Sequence, residues 1–278
     1  MFANRSLVIA TKHQKEQVMA PLLESALGVS CLVPKNFDSD QFGTFSGEIE
    51  RSLDPLSTAR EKCLAAMKAS NCDLGLASEG SFAAHPNLFF VPADDELLIF
   101  IDQKNKLEII VREVSTKTNF KGKLIRSYEE LLDFATSALF PSHALILRKS
   151  KENNEGVIKG ITSYEDLELG FNSIHQSQGE VYVETDMRAM FNPTRMSVIA
   201  SATEKLIQKI KSTCPKCDTP GFGIHEAKPG LPCSLCGAPT RSTLSYIYKC
   251  QSCDFNNEAL YPNDLESEDP TYCDFCNP

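Results

Sequence analysis

Apolar positions recur along this chain with two different periods. Residues 6–11, SLVIAT, form a short unbroken apolar run, the pattern of a buried strand. In the following HQKEQVMAPLLESALG, Val18, Leu22, Leu23, Ala26 and Leu27 return at helical spacing. Pro21 is expected to kink that helix or to mark a short first turn. A second strand is expected at 29–33. Residues 38–54 are polar and contain glycine, a long loop of the kind that carries function. Pro55 then opens a second helix, with Ala59, Cys63 and Met67 on one stripe. LGLASEGSF reads as a strand ending in a turn, and LLIFID and KLEIIVREV as a hairpin around Gln103–Lys106. Further helices are expected at 127–139, over SYEDLELGFNSI and at 195–210. HALILRK and GEVYVETD read as strands. Ile199, Ala202, Leu206 and Ile210 lie on one side of the last helix. This order predicts an α/β domain over residues 1–211, a mixed sheet flanked by helices.

The pattern changes after residue 211. Eight of the eleven cysteines fall between 214 and 276, as the pairs Cys214/Cys217, Cys233/Cys236, Cys250/Cys253 and Cys273/Cys276. A Cys-x-x-Cys turn presents two thiolates to one ion, and two such turns complete a tetrahedron. Residues 212–278 are therefore expected to be a small zinc-ribbon module with four cysteines per ion, holding two structural Zn²⁺ ions that supply much of its stability. CSLCGAPTRSTLSYIYKCQSC resembles a ribbon by itself. That places Cys233, Cys236, Cys250 and Cys253 on one ion and the outer two pairs on the other; sequential pairing is the alternative. Cys31, Cys63 and Cys72 lie in apolar surroundings and read as small buried hydrophobes.

The formal net charge is −9, and residues 212–278 carry nine acidic and four basic residues of it, a balance of −5. Each ion held by four thiolates adds about −2 more. Non-specific DNA binding needs a positive surface, so this balance argues against it. No apolar run approaches the roughly 18 residues of a membrane span. The opening MFANRSLVIATKH lacks a small-residue cleavage site and reads as part of the fold, so the protein is expected to be cytoplasmic.

Three clusters carry candidate chemistry. Lys12, His13 and Lys15 crowd a helix start after Thr11, where cations oppose the helix dipole. A bound phosphate would account for them; a solvated charged first turn is the plainer reading. Asn192 can cap the last helix with Pro193 at its first position, which puts Arg195 in the first turn, able to grip a phosphate with two hydrogen bonds. The plainer reading there is a capped helix with an exposed arginine. Glu79 stands at a strand end before Gly80, and Glu184 and Asp186 alternate on one face of a strand. Carboxylates beside phosphate-binding groups usually hold Mg²⁺ or Mn²⁺.

The segments VIATKHQKEQVMAPLLESALGV, DPLSTAREKCLAAMKASNCDLGLASEGSF and GEVYVETDMRAMFNPTRMSVIASA, in this order, resemble the inosine/xanthosine triphosphate pyrophosphatase-like superfamily. His13 stands where that family usually has Asn. The whole chain is similar to a bacterial family described only as a domain of unknown function, with a C-terminal double zinc ribbon. The resemblance implies a metal-dependent nucleotide phosphohydrolase. Thr11, Lys12, His13, Lys15 and Arg195 would hold phosphates, and Glu79 with Asp186 or Asp40 would hold Mg²⁺ or Mn²⁺ and place the attacking water. It also implies that Thr11, Glu79 and Arg195 converge on one cleft. The expected partner is a phosphate-bearing small molecule, a nucleotide. Two other readings stay open: a non-catalytic binder of a nucleotide or an RNA end, and a scaffold whose zinc module docks a protein partner or a second copy.

Overall fold

The computed structural model describes residues 1–35, 37 and 53–278. Contacts divide the chain into two compact units, Met1–Leu206 and Ile207–Pro278.

The first unit is α/β, with a mixed sheet. Strand β1 (Ser6–Ala10) lies between two parallel neighbours, β2 (Ser30–Leu32) and β3 (Leu74–Ala84). Helix α1 (Glu16–Leu27) connects β1 to β2 and ends at Gly28, whose φ of +68° is the left-handed cap that glycine provides. Pro21 sits inside this helix, not in its first turn. Helix α2 (Pro55–Ser70) begins where the Asp54 side chain accepts the N–H groups of Leu56 and Ser57. Strands β4 (Pro92–Asp102) and β5 (Leu107–Ser115) extend the sheet antiparallel, giving the order β2-β1-β3-β4-β5.

Two-residue alternation assigns the faces of this sheet. Val8, Ala10, Ala77, Ile99 and Ile101 pack with Ala59, Cys63, Ala66 and Met67 of α2. The opposite face of β3 presents Ser78, Gly80 and Phe82, which pair across the ladder with Leu98, Glu96 and Asp94. Pairing between β1 and β3 stops at Ala10 and Ala77, while β3 runs on to Ala84. Ser78 onward thus extends past the carboxyl end of β1.

A second, antiparallel sheet has the order β6-β9-β7-β8, from β6 (Gly122–Ile125), β7 (Leu145–Arg148), β8 (Ile158–Ile161) and β9 (Val181–Thr185). Helices α3 (Tyr128–Ser137) and α4 (Tyr164–Gln178) cover it over a core that includes Leu131, Phe134, Leu147, Phe171 and Val183. Each helix is capped by a serine, Ser127 or Ser163. Helix α5 (Pro193–Lys211) ends the first unit, and its last residues, from Ile207, belong to the second.

The second unit is built on a three-stranded antiparallel sheet, β10 (Gly223–Pro229), β11 (Thr243–Lys249) and β12 (Asn256–Leu260). Its ring contacts join Phe222 to Tyr248 and Phe255.

Candidate functional site

Charged groups from three elements, α1, β4 and α5, meet beside the overhanging part of β3. Lys15, at the N-cap of α1, donates to the Ser78 hydroxyl at 2.9 Å and pairs with Glu96 at 3.4 Å. Asn192 caps α5 by accepting the Arg195 N–H at 2.9 Å, which fixes Arg195 in the first turn. From there Arg195 Nε donates to Glu96 at 2.7 Å, Nη1 reaches the Met187 carbonyl, and the guanidinium lies 5.1 Å from the Phe82 ring centre. Arg195 is thus buried, not exposed on an ordinary capped helix. Gly80 admits this arrangement: a β-carbon there would stand 2.1 Å from Arg195 Nη2 and 2.5 Å from Glu96 Oε1.

The cluster is buried, and its proton affinities follow from that. Burial lowers the Lys15 pKa to about 8, against the pull of Glu96. Burial would raise Glu96, but Arg195 and Lys15 outweigh it and hold the carboxyl below its ordinary value. Asp94, two residues along the same strand face, is fully buried, and neither of its oxygens has a hydrogen-bond partner among the described residues. Burial first, and then the charge of Glu96, raise its pKa to about 7.

Glu79 lies elsewhere. The strand does not end in a turn at ASEGS; it continues in unbroken register against β4 to Ala84. Alternation therefore sends Glu79 to the α2 face, where it forms a buried ion pair with Lys62. A pocket of about 280 Å³ opens on that side, lined by Asp54, Leu56, Glu79, Ser81, Asp95 and Arg112 among others. Arg195 and Glu79 thus sit at the same end of the sheet on opposite faces of one strand.

The other expected residues are placed as follows. Thr11 is buried at the end of β1 and accepts the His13 N–H at 3.3 Å; Lys12 is exposed and His13 half-buried. Asp186 is buried beyond β9, with Arg188 Nη2 at 2.6 Å and the N–H groups of Arg188 and Gly160 at 3.0 and 3.1 Å. Glu184 bonds Arg148 at 2.7 Å. Asp40 and residues 38–52 of the expected loop lie outside the described residues. Of the three isolated cysteines only Cys63 is buried; Cys31 and Cys72 are half-exposed. Sequence reading missed Lys62, Ser78, Asp94 and Glu96. Asp94 and Glu96 alternate in ADDELLIFID, so two acids on one face of a predicted strand were visible as a signal.

The eight tail cysteines form two groups, Cys214, Cys217, Cys250 and Cys253, and Cys233, Cys236, Cys273 and Cys276. The pairing is interleaved, first with third and second with fourth, which corrects both the inner/outer and the sequential expectation. The sheet register is the reason. Gly223 at the start of β10 pairs with Lys249 at the end of β11, so the knuckle before β10 meets the knuckle after β11. At the other end Pro229 pairs with Thr243, and Leu260 of β12 with Ser245, which brings the β10–β11 connection near the chain that follows β12.

Sulfur spacing fits a metal. Tetrahedral zinc with bonds of about 2.3 Å separates its sulfurs by about 3.8 Å. Cys214 and Cys253 stand 3.8 Å apart, Cys217 and Cys250 3.6 Å, Cys233 and Cys276 3.9 Å, and Cys236 and Cys273 3.6 Å. Backbone N–H groups of Lys216, Leu235 and Ser252 point at Cys214, Cys233 and Cys250, as they do at thiolates. Unaided, the sulfurs do not all ionise. The Thr219 hydroxyl lowers Cys217 to about 6 and the Cys236 N–H lowers Cys233 to about 7, whereas hydrogen bonding with Cys236 pushes Cys276 up to about 12. A dication removes that conflict. Each group has the donor set and geometry of a structural zinc site.

Among the described residues no helix is long and apolar enough to cross a membrane. No curated protein matches the chain. The family model for a domain of unknown function (DUF6671) matches residues 62–278, from Lys62 through all eight tail cysteines, and the chain belongs to that family.

Proposed function

We propose that the first unit of this DUF6671 protein is a metal-dependent nucleotide phosphohydrolase, similar to the inosine/xanthosine triphosphate pyrophosphatases, with a double zinc-ribbon module as its second unit. One observation supports this above the others: Lys15 and Arg195, at the starts of two helices, meet on one face of Ser78–Gly80 just past the carboxyl end of parallel strand β1, with Lys62 of α2 on the other face. Ligands of open α/β sheets sit outside the carboxyl ends of parallel strands. Cations at that edge suit a polyphosphate, with Arg195 offering a planar fork and the lysines point charges.

Thr11, Lys12 and His13 stand on the loop leaving β1 and would add donors to the phosphates. Glu79, at the pocket beside α2, is the proposed ligand of Mg²⁺ or Mn²⁺, with Asp40 as a second carboxylate. Such an ion, when bound, offsets phosphate charge and lowers the pKa of its water. Asp186, enclosed by Arg188 and the Gly160 N–H, holds the turn that leads into α5, and so acts on Arg195 through position.

A second reading, binding without hydrolysis, draws on the Lys62–Glu79 pair. A carboxylate held by an ammonium group is less available to a metal than a free one.

Release of phosphate or pyrophosphate from a panel of nucleoside triphosphates with Mg²⁺ or Mn²⁺ separates these readings. Hydrolysis is expected in the parent, and Glu79→Gln should slow it by on the order of 100-fold. Binding of nucleotide with no turnover leaves the binding reading. Neither binding nor turnover ends both.

A further inference from the structure

The two metal centres present different outer surfaces. The knuckles of the first carry Pro215, Lys216, Gln251 and Ser252. Those of the second carry Leu235, between Cys233 and Cys236, and Phe275, between Cys273 and Cys276, with Tyr272 just before the last knuckle. Leu235 is 73% exposed, Tyr272 68% and Phe275 76%. The four sulfurs of this centre lie within 4.8 Å of one another, so its two knuckles meet at one point. Single exposed apolar side chains are ordinary on a protein surface. Here two lie on the knuckles of one metal centre and a third adjoins them in sequence.

The region has a sign. All charged residues between 261 and 278 are acidic: Asp264, Glu266, Glu268, Asp269 and Asp274. Glu268 lies against the first knuckle, bridging Cys233 and accepting the Ser234 N–H on its carbonyl at 2.9 Å. Asp274 lies within the second knuckle, 3.1 Å from the exposed Arg241. Four thiolates on one dication leave about −2 beneath them. An apolar centre inside a charged rim is the layout of a protein-binding surface.

We infer that Leu235, Tyr272 and Phe275 form a docking site for a segment of another protein, one that carries an apolar anchor flanked by lysines or arginines. This goes beyond the phosphohydrolase reading and stands independently of it. The acidic rim that attracts such a segment repels nucleic acid and anionic membranes. It also opposes a second copy of this chain, because a two-fold contact through this site would set the same acidic rim against itself.

The test uses the full-length, zinc-loaded protein and a display library of random linear peptides. Enrichment of peptides with basic residues around Leu, Ile or Phe is expected, with affinity falling as salt rises. The double variant Leu235→Ser, Phe275→Ser should weaken those peptides by roughly tenfold or more while zinc content and unfolding temperature stay at parental values. Both side chains are exposed non-ligands, and the salt dependence of the parent gives a readout that needs no variant. The inference is overturned by enrichment of peptides without basic residues, by no enrichment over the display scaffold alone, or by equal binding to the variant. Self-association of the parent that the double variant abolishes would also overturn it, since a second copy would then be the occupant.

Discussion

The Arg195 guanidinium lies directly over Gly80, where a β-carbon would come within 2.1 Å of Nη2. Arg195 cannot retreat freely, because Glu96, the Met187 carbonyl and the Phe82 ring hold its other sides. Gly80→Ala should therefore force the buried ion pair apart and cost about 2–4 kcal/mol. Urea unfolding of the variant checks this. A loss below about 0.5 kcal/mol would mean that the pair shifts without strain.

Asp94 should make stability depend on pH. Its folded pKa is raised from 3.8 to about 7. Between those values the folded chain holds a proton that the unfolded chain has released, so stability falls as pH rises from about 4 to about 7 and then levels. The charges acting on Asp94 are those of Glu96, Arg195, Lys15 and Asp95. Asp94→Asn keeps the shape without the ionisation, and should flatten that slope and raise stability at pH 8 by at most about 4 kcal/mol. Denaturant melts of parent and variant at pH 5 and pH 8 are the measurement. Parallel shifts at both pH values would count against it.

Interleaved metal binding can be counted. Cys217 and Cys253 belong to one sulfur group. A Cys217→Ser, Cys253→Ser chain should lose about one of two zinc equivalents, because the second group stays intact. Sequential or inner/outer pairing would cost both. Metal analysis of untagged protein decides between them.

Replacing Arg195 by Lys separates grip from charge. Arg195→Lys keeps a cation near Glu96 but gives up the planar fork, so nucleotide affinity should fall by about tenfold with folding retained. Unchanged affinity would place the phosphate away from α5.

The elements that set the core were legible, and the site was legible only in part. Long periodic segments announced α2, α4 and α5, and Asn192-Pro193 announced the start of α5. Strands β6 and β8, GKLI and IKGI, are four residues each, too short for a period to show. Lys15 and Arg195 stood out because each sits at a helix start. Their partner Glu96 did not, because Gly80 and Glu96 meet only through the β3–β4 register, which local pattern does not set. The same cause hid the separation of Glu79 from Arg195. Reading Gly80 as a turn truncated the strand and with it the alternation that divides them. Cysteine spacing gave the eight ligands, but their partition depends on which strand ends coincide in the three-stranded sheet.

That partition bears on how the second unit comes to be made. Cys233 and Cys236 fall between the two pairs that bind the first ion, and Cys250 and Cys253 between the two that bind the second. During synthesis the Cys214/Cys217 and Cys233/Cys236 pairs are both present before the pair that completes either site exists. Short loops close at the least entropic cost, so an ion captured early meets the wrong four sulfurs. Reaching the finished arrangement requires that ion to change ligands, and ligand exchange, not chain diffusion, sets the pace. A weak zinc buffer that lets misplaced ions leave, rather than an excess of free zinc, is then the condition under which this protein matures fastest.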